Sequence, residues 1–392
     1  MLSVHIWDPT RHAGDPKVEK ASRVLLDLIS SQSHRISLCE LSSSSPDFWK
    51  NWTLPATNLR KLVVKGGHSK AVPVFGGVVP RLETLYSLNY TPWPLSNYTA
   101  LRKAELRSYE RRASLAVLLG ALQGCEALEK LTLHGYASLE QVMPSPTPIL
   151  LPRLHRISLF SCDSALILDH LDAPTLVGPV VINDNGSSTQ NILQCLPNTQ
   201  RRKPYLEGIV QLHIVFETYL AMYSIVGCRE GGQTAFYVRA QGVVDQVRWT
   251  WTRSSIEAVA SCVHFSNIST LTFVTDSAVV PWAMWLPNLS HIRRLSISCP
   301  NSEGILTALL TISTEDGFPF CPLLRSLAIY RSGEYGVIDH AGLMQLVLHR
   351  YWVERPLRRL LLHKDEWEWL QQLGLDDAWV FLAEPQCKQF GL

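Results

Sequence analysis

A six-residue phrase, in which apolar residues occupy the first, fourth and sixth positions, constrains the fold of this chain more than any other feature. Alternate residues of a β-strand point to opposite faces of the sheet, so the last two apolar positions both point into a core. One such unit cannot bury its apolar side alone, and a stack of units can. The clear copies begin at Leu59, Leu101, Leu128, Leu154, Ile209, Ile268, Ile292, Leu324 and Leu357.

The interval between copies predicts the kind of stack. A weaker copy runs from Ser33 to Leu38, and a further start falls at Leu82. With these two included, the starts from Ser33 to Leu154 lie 26, 23, 19, 27 and 26 residues apart, and from Ile268 they lie 24, 32 and 33 residues apart. Leucine-rich repeats are about 20–29 residues long. We therefore predict a single domain over residues 1–392, an α/β leucine-rich-repeat solenoid (horseshoe) of about eleven to thirteen units.

In that fold, parallel strands line the concave face, and the return segments between strands are mostly helical. Alternation of strands with helical patterns predicts a parallel sheet. Residue 124 is Gly, a residue that often ends a helix, directly after the second of the predicted helices. The helices are expected over 17–31, 114–123, 189–196, 256–264, 303–311 and 341–351.

Two segments depart from the repeat pattern. Over 219–240 the phrase fails, and two apolar runs flank Cys228–Gln233, which predicts a hairpin or irregular insertion. After the last strand, residues 363–392 contain several large apolar side chains. Repeat arrays need capping elements at their ends, so we predict that 363–392 form a C-terminal cap.

Composition limits which classes of partner and which cellular location we expect. Hydrophobic residues make up 46% of the chain and the net charge is +2, which gives no reason to expect a nucleic-acid partner. No apolar run reaches about 18 residues, so no membrane partner is expected. Nine cysteines are scattered without a C-x-x-C pair and without a signal peptide, which favours reduced thiols and a cytoplasmic or nuclear location.

The sequence shows no pattern of catalysis. None of the thirteen histidines forms an H-x-x-x-H pair, and no G-x-S-x-G phrase occurs. We therefore expect no catalytic, cofactor-binding or metal-binding residues and a protein that is not an enzyme. A divergent hydrolase remains the remote alternative.

Basic and aromatic side chains dominate the positions that point away from the core. Arginine and lysine suit carboxylates and phosphates, and aromatic residues anchor interfaces. The concave surface is therefore expected to bind a protein substrate or peptide that is acidic or phosphorylated, although basic residues are also common filler at solvated strand edges. The candidate partner-binding residues are Lys61, Tyr86, Lys103, Lys130, His134, Arg156, Phe160, Arg294, Tyr330 and Arg359.

Several stretches of the chain resemble those of a known group of families. They are similar to segments of the F-box-like, leucine-rich-repeat families of mushroom-forming fungi. The similar segments are Leu2–Ile6 followed by a helix and Ser33–Leu38, the phrase Leu171–Leu176, and the openings Pro152-Arg153-Leu154 and Pro287-Asn288-Leu289. The resemblance implies a substrate receptor of a cullin ubiquitin ligase, in which an F-box holds the adaptor and the repeats hold the substrate. This chain departs from the pattern because it contains no F-box. Adaptor and cullin are expected partners only if an F-box lies upstream, and a stand-alone scaffold or decoy is the alternative.

Overall fold

The structure is a computed structural model, and it describes part of the chain. The described residues are 2–7, 24, 27–43, 54–66, 74–89, 98–108, 113–137, 148–185, 204–217, 222–241, 259, 263–276, 280, 282–311, 320–332, 336–362 and 366. The chain divides into two compact units, residues 1–184 with 203–205, and residues 185–202 with 206–392. Each unit is an α/β structure built on parallel strands.

The first unit contains eight parallel strands, and each of them pairs with the next along the chain. Two short strand pairs lie beside them, Ala113–Ser114 with Tyr136–Ala137 and Ile149–Leu150 with Leu171–Asp172. The eight strands are β1 (Leu2–Trp7), β2 (Ile36–Ser43), β3 (Lys61–Gly66), β4 (Thr84–Leu88), β5 (Lys103–Arg107), β6 (Lys130–His134), β7 (Arg156–Phe160) and β8 (Val180–Asn185).

The predicted apolar positions form the core of this unit. Leu62 on β3 lies opposite Leu85 on β4, and the row continues through Ala104, Leu131 and Ile157. All five are at most 3% exposed. Burying a leucine or isoleucine side chain stabilises a fold by about 1.5–3 kcal/mol, so these rows are the main source of the unit's stability.

The register of β2 differs from the prediction. The weaker copy was expected to begin at Ser33 and to bury Leu38, but the buried residues are Ile36, Cys39 and Leu41, each 0% exposed. Cys39 and Leu41 lie opposite the inward residues of β3, so continuity of the buried row sets the pairing. As a result Arg35, within the expected copy Ser33–Leu38, lies in a 3-10 turn before the strand.

Two helices of the first unit are described. α1 (Leu115–Leu122) matches the helix expected over 114–123, and Gly124 follows it with φ 97°, the left-handed conformation that ends many helices. α2 (Ser164–His170) returns from β7. Of the helix expected over 17–31, the structure describes residue 24 and residues 27–31, and these are helical. Two of its apolar side chains, Val24 and Leu28, are 63% and 61% exposed.

The second unit combines an antiparallel meander with parallel strands. β9, β10 and β11 pair antiparallel in order, and the parallel strands β12 to β15 continue from β9. The strands are β9 (Ile209–Glu217), β10 (Met222–Arg229), β11 (Thr234–Gln241), β12 (Thr270–Thr275), β13 (Arg294–Cys299), β14 (Ser326–Arg331) and β15 (Arg359–Leu362).

The segment 219–240 contains a hairpin. β10 and β11 are joined through the turn Glu230–Gly232. Gly227 on β10 is required by close approach, because a Cβ atom there would lie 2.2 Å from the ring of Phe236 on β11. The repeat phrase fails in this segment because the chain reverses direction there instead of returning to start a parallel strand.

The helices of the second unit lie between its parallel strands. α3 (Trp282–Trp285) precedes β13, α4 (Glu303–Leu310) precedes β14 and α5 (His340–Trp352) precedes β15. The last two match the helices expected over 303–311 and 341–351. Trp282 and Trp285 are 4% and 0% exposed and pack edge-on against Phe273 of β12.

The expectation of mostly helical return segments is not supported within the described residues. Among the described residues of the segment before β4, the helical element is the 3-10 turn Val74–Gly77, and among those of the segment before β9 it is the 3-10 turn Pro204–Leu206. In the former, Phe75 and Gly76 have φ of 58° and 61°, values that an α-helix cannot contain. The described part of this return, residues 74–83, is therefore built from turns rather than from an α-helix.

Several predictions lie outside the described residues. These are the helix over 189–196, the helix over 256–264 apart from 259, 263 and 264, and the C-terminal cap over 363–392 apart from Glu366. In the part of the chain that is described, no helix has the length and hydropathy needed to cross a lipid bilayer.

Candidate functional site

The face of each sheet opposite its buried rows, called the outer face below, carries the candidate site. Strand pairing aligns its side chains in rows that cross the strands, with neighbours about 4.8 Å apart. On the first unit the edge row is Lys61, Thr84, Lys103, Lys130 and Arg156; the middle row is Glu40, Val63, Tyr86, Glu105, Thr132 and Ser158; and the end row is Lys65, Leu88, Arg107, His134 and Phe160.

The four basic residues predicted on the first unit share the edge row. Lys103, Lys130 and Arg156 lie on consecutive strands, and Lys61 lies two strands before Lys103. Lys61, Lys103 and Arg156 are exposed and Lys130 is half-buried. Within the described residues, none of the four forms a side-chain hydrogen bond or ion pair with another residue, so the row presents uncompensated positive charge.

The predicted aromatic residues belong to a second group, which we call the aromatic–arginine cluster: Tyr86, Glu105, Arg107, His134 and Phe160. The Arg107 guanidinium lies 5.4 Å from the centre of the Tyr86 ring. Its Nε donates a hydrogen bond to Glu105 Oε1 at 2.7 Å. The His134 and Phe160 rings stack, with centres 4.2 Å apart and planes within 7°.

These contacts fix Arg107 in place between an aromatic ring and a carboxylate. A cation–π contact contributes about 0.5–1 kcal/mol at an exposed site. Partial burial, with the positive charge of Arg107, lowers the pKa of His134, while Glu105 acts in the opposite sense. His134 is therefore a neutral, flat surface near pH 7, and it stacks on Phe160 as an uncharged ring.

A third group surrounds Glu40, which sequence reasoning did not select. Lys65 Nζ lies 2.7 Å from Glu40 Oε1, and His5 Nδ1 lies 3.1 Å from Glu40 Oε2. The hydrogen bond from Lys65 lowers the pKa of Glu40, with a smaller effect from His5. The shifted register of β2 produces this group, because it places Glu40 rather than Ser37 on the middle row.

The three residues predicted on the second unit do not form one cluster. Arg294 and Arg359 lie in the same row of the outer face, with Ser326 of β14 between them. Tyr330 lies in a different row, opposite Ser298. Sequence reasoning therefore identified the outward positions here but not which of them meet.

A further row was missed in both units. It consists of the residue directly before each edge-row residue, and we call it the lead row. Its sequence signal is the second position of the repeat phrase. On the first unit the lead row is Arg60, Glu83, Arg102, Glu129 and His155, and on the second unit it is Ser269, Arg293, Arg325 and Arg358.

One backbone pattern holds the lead row in both units. The carbonyl of Arg60 accepts hydrogen bonds from the N–H groups of Glu83 and Thr84, at 2.9 and 3.0 Å. The carbonyl of Arg293 accepts in the same way from Arg325 and Ser326, also at 2.9 and 3.0 Å. Neighbouring lead-row residues are thus fixed side by side in both units.

The side chains of the two lead rows differ in charge. On the first unit Arg60 pairs with Glu83, with 3.5 Å between Nη1 and Oε1, and Arg102 Nε donates to Glu129 Oε1 at 2.6 Å. The second unit has three arginines and one serine at these positions. In the described part of the chain, Arg293, Arg325 and Arg358 form no ion pair.

A buried arginine supports this part of the second unit from below. Arg350 of α5 is 0% exposed and donates to the carbonyls of Phe320 at 2.8 Å and Cys321 at 3.1 Å. It also approaches the carbonyl of Leu324 at 3.5 Å, directly before Arg325. Burial lowers the pKa of Arg350. The turn that leads into β14 is therefore held by a cation that solvent does not reach.

Reactive chemistry finds little support among the described residues. They include no group of three or more histidine, cysteine, aspartate or glutamate side chains arranged to hold a metal ion. Burial raises the pKa of Cys39 to about 12 and that of Cys125 to about 11. Such thiols stay protonated near neutral pH, and the thiolate is the nucleophilic form.

Comparison with known proteins adds no name to this geometry. A scan of the sequence against protein-family models found no match, and a search of curated protein sequences found none either.

Proposed function

We propose that the chain recognises a segment of a partner protein on the outer face of the first unit. The aromatic–arginine cluster is the observation that carries this proposal. Tyrosine and arginine are enriched among the residues that dominate binding energy at protein interfaces. Tyr86 and Phe160 are both half-buried on the outer face, where a partner could cover the rest of each ring.

The edge row supplies the electrostatic part of the proposal. Each edge-row residue lies two positions before a middle-row residue and four before an end-row residue on its strand, so Lys130 and His134 are about 13 Å apart along β6. A partner that places aromatic or apolar groups on the cluster and carboxylates on the edge row would match both surfaces. Lysine and arginine favour such acidic groups.

The finer fold assignment belongs to the same proposal. Recurring strand phrases, parallel pairing of successive strands and shared buried rows support leucine-rich-repeat units that form a solenoid with the outer face on its concave side. The role of an F-box-type substrate receptor for a cullin ligase, or of a truncated relative, rests on the sequence resemblance. Its expected partners are an adaptor, a cullin and a protein substrate.

Affinity capture from a cell lysate, followed by mass spectrometry, tests these proposals with three versions of the chain. They are the unaltered protein, the double variant Tyr86→Ala/Phe160→Ala, and the control Leu150→Ser. Leu150 is 55% exposed and lies in a separate two-stranded pair. We expect specific proteins to be recovered with the unaltered chain and the control, and at least about tenfold less with the double variant.

Each outcome separates the alternatives. If the double variant captures the same proteins in the same amounts while remaining folded by circular dichroism, the cluster is not the binding surface. Recovery of an adaptor and a cullin would support the receptor role. Recovery of cluster-dependent partners without them in repeated captures would instead favour a stand-alone scaffold.

A further inference from the structure

We infer that the arginines at the edge of the second unit bind an acidic segment of a partner protein, a surface separate from the aromatic–arginine cluster. Five arginines occur at the lead-row and edge-row positions of three neighbouring strands, and we call them the arginine patch: Arg293, Arg294, Arg325, Arg358 and Arg359. The inference takes from the proposed function only that the partner is a polypeptide.

The density of charge is the first argument. The three strands span about 10 Å at the backbone, since neighbouring strands are about 4.8 Å apart. Five positive charges therefore originate within a patch of that width, on a chain whose net charge is +2. Like charges at such distances repel one another, so the patch gains most when an anion approaches.

The absence of internal compensation is the second argument. Among the described residues, Arg293, Arg294, Arg325 and Arg358 form no side-chain hydrogen bond or ion pair. Glu354, which lies shortly before Arg358 in the chain, is exposed and likewise forms no ion pair within that part. On the first unit, acidic residues occupy alternate lead-row positions and neutralise their neighbours. The two lead rows share a backbone pattern, so the difference lies in the side chains alone.

The third argument is that hydrogen bonds hold the backbone of the patch arginines in place. The carbonyl of Arg325 accepts from the N–H groups of Arg358 at 2.8 Å and Arg359 at 3.0 Å, as Arg293 does from the next strand. Arg350 holds the turn before Arg325. A fixed backbone reduces the conformational freedom that binding must remove, which raises affinity. Guanidinium groups held in this way can each bind a carboxylate through two parallel hydrogen bonds.

The surroundings favour a polypeptide over a nucleic acid. Small polar residues lie within and beside the patch, Ser326 within it and Thr270 and Ser296 beside it, and the next row continues with the aliphatic residues Ala328 and Leu361. Single-stranded nucleic acids bind where aromatic side chains stack on the bases, and no aromatic residue occupies the lead or edge rows of β12 to β15. An extended peptide with alternating acidic residues presents its carboxylates at intervals of about 7 Å, which two to three arginines of the patch can reach.

Fluorescence anisotropy with a labelled peptide of alternating glutamate and serine tests the inference on the full chain. The matched peptide has glutamine in place of glutamate. The main variant is Arg325→Glu, which gives the second unit the alternating Arg–Glu–Arg pattern found on the first. The control is Arg60→Ala, in the lead row of the first unit.

We expect the glutamate peptide to bind the unaltered chain and the control with the same affinity, and more tightly than the glutamine peptide. Arg325→Glu should weaken binding about 100-fold, because it removes one charge-assisted hydrogen-bond donor and adds a repelling carboxylate. Its melting temperature should not fall, because the new glutamate lies between two arginines.

Three results would overturn the inference. The first is equal binding of the glutamate and glutamine peptides, and the second is binding by Arg325→Glu as tight as that of the unaltered chain. The third is tighter binding of a single-stranded oligonucleotide than of the glutamate peptide through the same arginines. None of these results bears on Tyr86 and Phe160. The proposed function of the first unit would therefore stand or fall by its own capture experiment.

Discussion

The lead rows of the two units share a backbone hydrogen-bond pattern but differ in the charge of their side chains. In both, lead-row carbonyls such as those of Arg60 and Arg293 accept two N–H groups of the next strand, with nearly the same distances. From Arg60 to Glu129 the first unit alternates arginine and glutamate, which pair across strands. In the second unit Arg293, Arg325 and Arg358 form no ion pair with any residue that the structure describes. The fold accepts either pattern, so the charge of this row reflects something other than the needs of the fold.

The largest test concerns Arg350, the buried residue beneath the arginine patch. Replacing it with methionine leaves the carbonyls of Phe320 and Cys321 without their donor in the interior. We expect Arg350→Met to lower the free energy of unfolding by about 3 kcal/mol. Hydrogen exchange of the amides over 320–332 measures the effect locally.

Arg153→Met on the first unit is the matched control, because Arg153 is exposed. That change should alter stability by less than about 0.5 kcal/mol. Equal effects of the two substitutions would mean that Arg350 does not hold the turn, and the rigid mounting of Arg325 would lose its support.

Two double-mutant cycles test the charge difference between the two lead rows, with smaller expected effects. Arg102 and Glu129 are expected to show a favourable coupling of about 0.5 kcal/mol, as a cross-strand pair of opposite charge. Arg293 and Arg325 occupy neighbouring positions of the same row, and their coupling should be of similar size but unfavourable. Alanine variants and chemical unfolding at low salt provide both values.

Both couplings should shrink in about 1 M salt, where the screening length is about 3 Å. A favourable coupling between Arg293 and Arg325 would contradict the comparison, because it would show that some group already compensates their charges.

An effect no larger than these couplings is the pH dependence that Glu40 confers on the first unit. Its pKa is lowered in the folded state, mainly by the hydrogen bond from Lys65, so its contribution is intact above the ordinary glutamate value of about 4.3. Glu40→Gln should reduce the free energy of unfolding by about 0.5 kcal/mol at neutral pH. As the pH falls below about 4.3 and through the lowered pKa, the difference from the unaltered chain should fade.

Chemical unfolding of both proteins at several pH values measures this difference. Because the pair is partly exposed, the effect should also weaken with added salt. A gap between the two proteins that persists unchanged at low pH would point to a packing role for Glu40 rather than a charge role.

The sequence was sufficient to predict the buried rows and insufficient for the contacts on the outer face. Leu62 and Val64 could be placed inward because strand alternation applies to every copy of the phrase. β2 was misaligned because its true phrase uses Cys39, whereas Leu38 looked like the better apolar residue. Only the pairing with β3 resolves that choice, and pairing depends on residues far apart in the chain.

For the candidate site, too, the sequence predicted which side chains point outward but not which rows they form. Lys103, Lys130 and Arg156 were predicted to point outward and do share a row, because each occupies the same position of its phrase. The lead row was missed because a single phrase shows nothing unusual in one arginine after its first apolar residue. Its meaning appears only when Arg293, Arg325 and Arg358 are aligned across strands, at separations of 32 and 33 residues.

The shared carbonyls of the lead row have a practical consequence. Main-chain N–H and carbonyl groups make the repeated hydrogen bonds between neighbouring lead-row positions, so the arginine and glutamate side chains can be exchanged without removing those bonds. The side chains of this row can therefore vary while the backbone of the sheet stays the same. A designer could recode it from neutral to strongly charged, one strand at a time, and transfer an anion preference from the second unit to the first.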